Sequence, residues 1–107
     1  MIKNLPIAEV VGLANLVSYQ EGQVVSRTLV QAEGTSLTLF AFASGEGLTA
    51  HTAPADALVF VLDGEASIDI AGAGSVLRAG EAIVMPANTP HAVTAEQDFK
   101  MLLLIAS

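Results

Sequence analysis

Ala50-His51-Thr52-Ala53-Pro54-Ala55-Asp56-Ala57-Leu58-Val59-Phe60-Val61-Leu62-Asp63-Gly64 decides the fold. The stretch opens on one of two histidines and runs into a segment that is apolar on both sides. Ala57, Val59 and Val61 share one side, and Leu58, Phe60 and Leu62 the other. A short continuous apolar run rich in branched residues reads as a strand buried on both faces, and Asp63-Gly64 closes it with a hairpin signal. Burying the second set of large side chains stabilises by about 1.5–3 kcal/mol each. That face is therefore expected to meet another sheet, an N-terminal helix or a partner subunit. In so small a chain a homodimer is the preferred account.

Upstream, Val24 to Val30 and Leu37 to Phe42 read as strands separated by a Glu33-Gly34 turn, and Phe40 and Phe42 fall on the same face. Gly45-Glu46-Gly47 then breaks the chain before His51. Downstream come Ser67 to Ile70, Ser75 to Arg78, Ala82 to Met85, His91 to Ala95 and Phe99 to Ile105, the first three separated by the turns Ala71-Gly72-Ala73-Gly74 and Ala79-Gly80-Glu81. In the last of these Phe99, Met101, Leu103 and Ile105 share a face. The count is about eight or nine short strands at the spacing of a sandwich or barrel. The fold class is all-β, with the barrel over about 24–105 of a single domain spanning 1–107. Pro6 suits the first turn of a helix, and Ile7, Val10, Val11, Ala14 and Val17 recur with helical spacing. A short helix over 6–17 is predicted as a lid on an open end, although Gly12 weakens it by roughly 1 kcal/mol.

Composition narrows the function. Hydrophobic residues make up 52% of the chain but aromatic ones only 5%, so the core must be built from aliphatic side chains. Eleven acidic residues against four basic ones leave a net charge of −7, which repels phosphate backbones and anionic lipid. No nucleic-acid or membrane role is expected. There is no cysteine, hence no disulfide, thiolate nucleophile or thiolate metal site. The first residues lack the apolar run of an export signal, and a cytoplasmic location is expected.

The second histidine arrives in Met85-Pro86-Ala87-Asn88-Thr89-Pro90-His91. Five residues separate Gly45 from His51, Gly64 ends the first segment, and Gly80, Pro86 and His91 punctuate the second. This spacing resembles the two motifs of the cupin superfamily of small jelly-roll barrels. The second motif normally has glycine where Asn88 stands, and asparagine is the residue that best replaces glycine in a left-handed turn. The resemblance implies a cupin jelly roll in which two histidines and a glutamate of the first motif, with the histidine of the second, hold a divalent metal. Carried over residue by residue, it keeps His51 and His91. The other histidine has become Ala53 and the glutamate Ala57.

The two histidine segments are expected to face each other inside the barrel. Three readings stay open: structural histidines in a closed barrel, a metal-free ligand pocket, and a partly hydrated metal. In the preferred one, His51, His91, Ala53, Ala57, Val59 and Met85 bind a small, partly hydrophobic molecule. The protein is then a sensor or accessory binding module of unknown ligand, with a degenerate metal site and no cofactor. In the alternative, His51 and His91 hold Mn, Fe, Ni or Zn for an oxygenase, isomerase or lyase reaction. Two imidazoles are a poor cage for such an ion, and Asp56 reaches it only if a bulge turns the side chain inward. Arg27 and Lys100 are read as surface or interface residues before anion anchors.

Overall fold

The computed structural model describes residues 1–107. Nine strands follow one another: β1 (Val24–Ala32), β2 (Thr35–Phe42), β3 (Gly47–His51), β4 (Asp56–Asp63), β5 (Glu65–Ile70), β6 (Ala73–Arg78), β7 (Ala82–Met85), β8 (His91–Thr94) and β9 (Phe99–Ala106). They form two antiparallel sheets, β1-β2-β9-β4-β7 and β3-β8-β5-β6. The sheets pack face to face over an aliphatic core with two phenylalanine rings stacked at one end. No helix is long and apolar enough to cross a membrane.

The strand assignments made from alternation hold, with ends displaced by a residue or two. One strand was hidden: Gly47–His51 pairs with β8, where the glycines had suggested only a break. Gly47 belongs there because a Cβ would run into the carbonyl oxygen of Val93. Gly64 is required twice over, with a φ of 74° and the Asp98 carbonyl against the place of a Cβ. The Ala71-Gly72 turn is tighter than expected, and Ala73 and Gly74 already belong to β6.

The predicted helix over 6–17 does not form. Only Leu13–Leu16 makes a 3-10 turn, and no side chain caps it. Ala8 sits at a φ of 59°, in the left-handed region, and Gly12 is extended. A helix of this length is marginal without packing, and the would-be apolar face is split, with Ile7 and Val10 exposed and Val17 buried. The segment is instead a strap across the outer face of the larger sheet, not a lid over an open end. Leu5, Leu13, Leu16, Val17 and Tyr19 pack with Leu29, Leu39, Leu62 and Leu102 into a second, smaller core. Lys100 fastens the strap by donating from Nζ to the Ala14 carbonyl at 2.6 Å, with its ammonium 4.9 Å from the centre of the Tyr19 ring. The Tyr19 hydroxyl donates to Asp63, and burial together with that carboxylate pushes the phenol above its ordinary pKa. Arg27 reaches the backbone of Asn4, so both basic residues work on the outer face.

The two apolar faces of β4 are thus covered by different means. Ala57, Val59 and Val61 enter the main core, and Leu62 goes under the strap. Leu58 and Phe60 pack into neither core. Leu58 lies between Leu104 of β9 and Val84 of β7 in the ladder, and Val84 is exposed. A contiguous uncharged patch remains on this side of the sheet.

Candidate binding site

His51 and His91 are register partners on adjacent strands, β3 and β8. They stand side by side on neighbouring strands of one sheet, with both imidazoles lining the same cavity. A register shift between Leu48 and His51 aims the end of β3. The ring centroids are 4.5 Å apart with planes at 71°, edge to face. His91 is 4% exposed, the only buried polar residue of the chain, whereas His51 lies exposed at the rim.

Both rings are fixed in the same way. Nδ1 of His51 lies 2.8 Å from the Thr49 carbonyl oxygen, and Nδ1 of His91 lies 3.2 Å from that of Thr89. A carbonyl oxygen can only accept, so in the neutral ring Nδ1 carries the proton and Nε2 the lone pair. No Nε2 has a protein partner among the hydrogen bonds, yet no side-chain nitrogen or oxygen is sealed away unpaired. The His91 Nε2 therefore opens onto accessible space.

That space is a cavity of about 60 Å³. The smaller sheet contributes Leu48, His51, His91 and Val93. The larger sheet contributes Ala57, Met85, Met101, Leu103 and Ile105, and the intervening segment Ala53 and Ala55. Nine of the eleven lining residues are hydrophobic, and the imidazoles are the two polar points. Of the residues singled out from the sequence, His51, His91, Ala53, Ala57 and Met85 meet here. Val59 does not: it is fully buried two residues further along β4, level with Leu103 and Ile83. Leu48, Ala55, Val93, Met101, Leu103 and Ile105 were missed. Alternation placed the residues of β9 on the inward face but carries no information about which end of the barrel is hollow.

The rim is braced by the segment between the two histidines. Asp56 stays exposed, and its Oδ1 accepts the Ala87 N–H at 2.8 Å. Asn88, at a φ of 60°, donates its N–H to the Ala53 carbonyl at 2.7 Å. The asparagine thus takes the left-handed conformation expected of it, and Asp56 ties the Pro86-Ala87-Asn88 turn to the first motif.

The family model described as the cupin domain matches residues 38–106. The chain belongs to the cupin superfamily. A conserved protein of unknown function from Streptococcus pyogenes is 38% identical, over 99% of this chain and 93% of that one, with a TM-score of 0.96. A cupin superfamily protein from Desulfitobacterium hafniense is 33% identical, over 99% and 97%, with a TM-score of 0.94. A cupin 2 conserved barrel domain protein from Leptotrichia buccalis is 47% identical, over 88% of this chain and 46% of that one, with a TM-score of 0.85. No curated protein matches the sequence.

Cupins often hold a divalent metal, and the residues here do not fit one held in the family's manner. No group of three or more histidine, cysteine, aspartate or glutamate side chains comes together anywhere in the fold. Ala53 and Ala57 line the cavity without a lone pair between them, and the one nearby carboxylate, Asp56, is engaged with the backbone outside. A divalent ion would keep its full charge in a nearly apolar chamber, at a cost that two neutral imidazoles do not offset.

Proposed function

We propose that the barrel binds a small, mostly apolar molecule carrying a hydrogen-bond donor, and acts as a binding module with no chemistry of its own. The observation that carries this is an otherwise apolar cavity lined by two imidazoles whose Nε2 atoms have no protein hydrogen-bond partner. A hydroxyl or N–H group would satisfy one or both nitrogens, and Val93, Leu103 and Ile105 would cover the hydrocarbon. A cavity of about 60 Å³ suits a molecule of a few non-hydrogen atoms unless the mouth is also used.

1-Butanol and diethyl ether are isomers that differ in donor capacity, so they test this directly. Saturable shifts of the Val93, Leu103 and Ile105 methyl resonances with 1-butanol, and much weaker ones with the ether, are expected. Equal response to both, or none to either, would remove the proposal. The alternative of a reaction at a divalent metal held by His51 and His91 rests on the family likeness and is opposed by the donor set.

For the outer face the proposed occupant is a second copy of the chain. Leu58, Phe60, Leu104 and Val84 form an uncharged patch on a molecule whose net charge of −7 opposes self-association elsewhere. A stable contact buries about 800 Å² per partner. Sedimentation is expected to give a dimer that Leu58→Lys converts to a folded monomer, and a monomeric parent would exclude it.

A further inference from the structure

The cavity collects nearly every soft donor this chain has. There are two histidines, three methionines and no cysteine. Both histidines line the cavity, as do Met85 and Met101, which are buried. The third methionine is the exposed Met1. Met85 is the ladder partner of Ala57, the position that corresponds to the family's carboxylate, and both side chains line the same space. Where a cupin of the usual kind offers a hard oxygen, this chain places a thioether next door.

We propose that His51, His91 and Met85 form a site for a soft monovalent cation, copper(I), with Met101 as a further sulfur deeper in the cavity. Donor chemistry gives the first reason. Thioethers favour copper(I) and imidazole also suits copper, whereas carboxylates and water suit the harder divalent ions. Charge gives the second. The site has no anionic ligand, and the self-energy of an ion grows as the square of its charge, so a monovalent ion costs about a quarter of a divalent one in the same surroundings. The third reason is orientation. Each Nδ1–H is held by a backbone carbonyl, the outer-shell bond that fixes a ligating histidine with Nε2 free. Copper(I) accepts low coordination numbers, so two nitrogens and one sulfur complete its shell without a carboxylate or water. The ion would take the same Nε2 lone pairs as the donor-bearing ligand of the binding-module reading, so the two compete for one cavity and are told apart by separate measurements.

The test is anaerobic competition with the coloured bicinchoninate complex of copper(I). The parent is expected to withdraw one ion per chain, and zinc in excess should not displace it. Met85→Leu, a volume-conserving change, should weaken binding by about tenfold or more, the scale typical of altered metal sites. The double variant His51→Ala, His91→Ala should withdraw none. Methionine labelled with ¹³C at the methyl group supplies a second readout on the folded parent. One equivalent of silver(I), a redox-inert stand-in, should move the Met85 methyl resonance and leave that of Met1 in place. Failure to compete with the chelator, an unchanged affinity in Met85→Leu, displacement by zinc, or a response confined to Met1 would each overturn the proposal. 1-Butanol binding alongside such a failure would remove the ion and leave the ligand pocket standing.

Discussion

The two ends of the barrel are built from the same strands and filled in opposite ways. At one end Phe42 and Phe99 are register partners with rings stacked 4.7 Å apart, both fully buried, beside Val61 and Met101. At the other end the same two central strands present Ala57 and Ile105, next to Met85, and a cavity opens. The ladder is continuous between them, so backbone geometry does not make the hollow. Side-chain size does: Ala53, Ala55 and Ala57 stand where bulk would close it. The filled end supports the fold and leaves the other end free to remain open.

Substitutions at matched positions can break this contrast. Phe99→Ala empties the filled end, and a loss of about 3–5 kcal/mol is expected by urea unfolding, the range for a buried aromatic. A loss below about 1 kcal/mol would mean that the stacked pair is not what holds that end. Enlarging the core sharpens it further. Val61→Leu should cost about 1–3 kcal/mol because no space awaits the added methylene. Ala57→Val, at the hollow end of the same strand, should stay within about 1 kcal/mol of the parent while abolishing the methyl shifts caused by 1-butanol. Equal costs for the two would show that the ends are equally packed. Smaller again is the expected loss on Asp56→Ala, about 1 kcal/mol for one hydrogen bond to the Ala87 N–H. It should appear as faster amide exchange at Ala87 and Asn88 and not at the Phe99 end.

The smallest expected effect lies outside both ends, in the strap. Tyr19 has its pKa raised in the folded protein by burial and by Asp63. The unfolded chain therefore loses its phenolic proton first, and the stability tied to that proton is present below about pH 10 and declines above it. Tyr19→Phe should show a shallower alkaline decline than the parent in thermal melts. An identical decline would mean that other groups govern it.

Much of the fold was legible because glycine and alternation report on the backbone. Gly45, Gly64 and Gly80 each take positive φ, and the inward set Phe99, Met101, Leu103 and Ile105 follows from a period of two. The 6–17 helix misled because its apolar periodicity was real but the residues serve another surface, with Leu13 and Val17 packed on the outer face of the larger sheet and Ile7 and Val10 left out. Packing decided what propensity could not. The site was legible through His51, His91 and the two alanines that replace ligands. The dry side of the cavity was not, because Leu103 and Val59 read identically on an alternating strand and only three-dimensional depth separates them. The shared fixing of both imidazoles by carbonyl oxygens two residues upstream was equally out of reach, since it depends on loop geometry.

The position of β9 has a consequence for how the molecule is made. It lies between β2 and β4 in the middle of the larger sheet, yet ribosomal synthesis reaches it after the other eight strands. Until Phe99–Ala106 has emerged, β2 and β4 have no shared neighbour, and the stacked ring and Met101 are missing from the core. The larger sheet therefore closes only when β9 inserts between β2 and β4, so contacts far apart in sequence complete the fold.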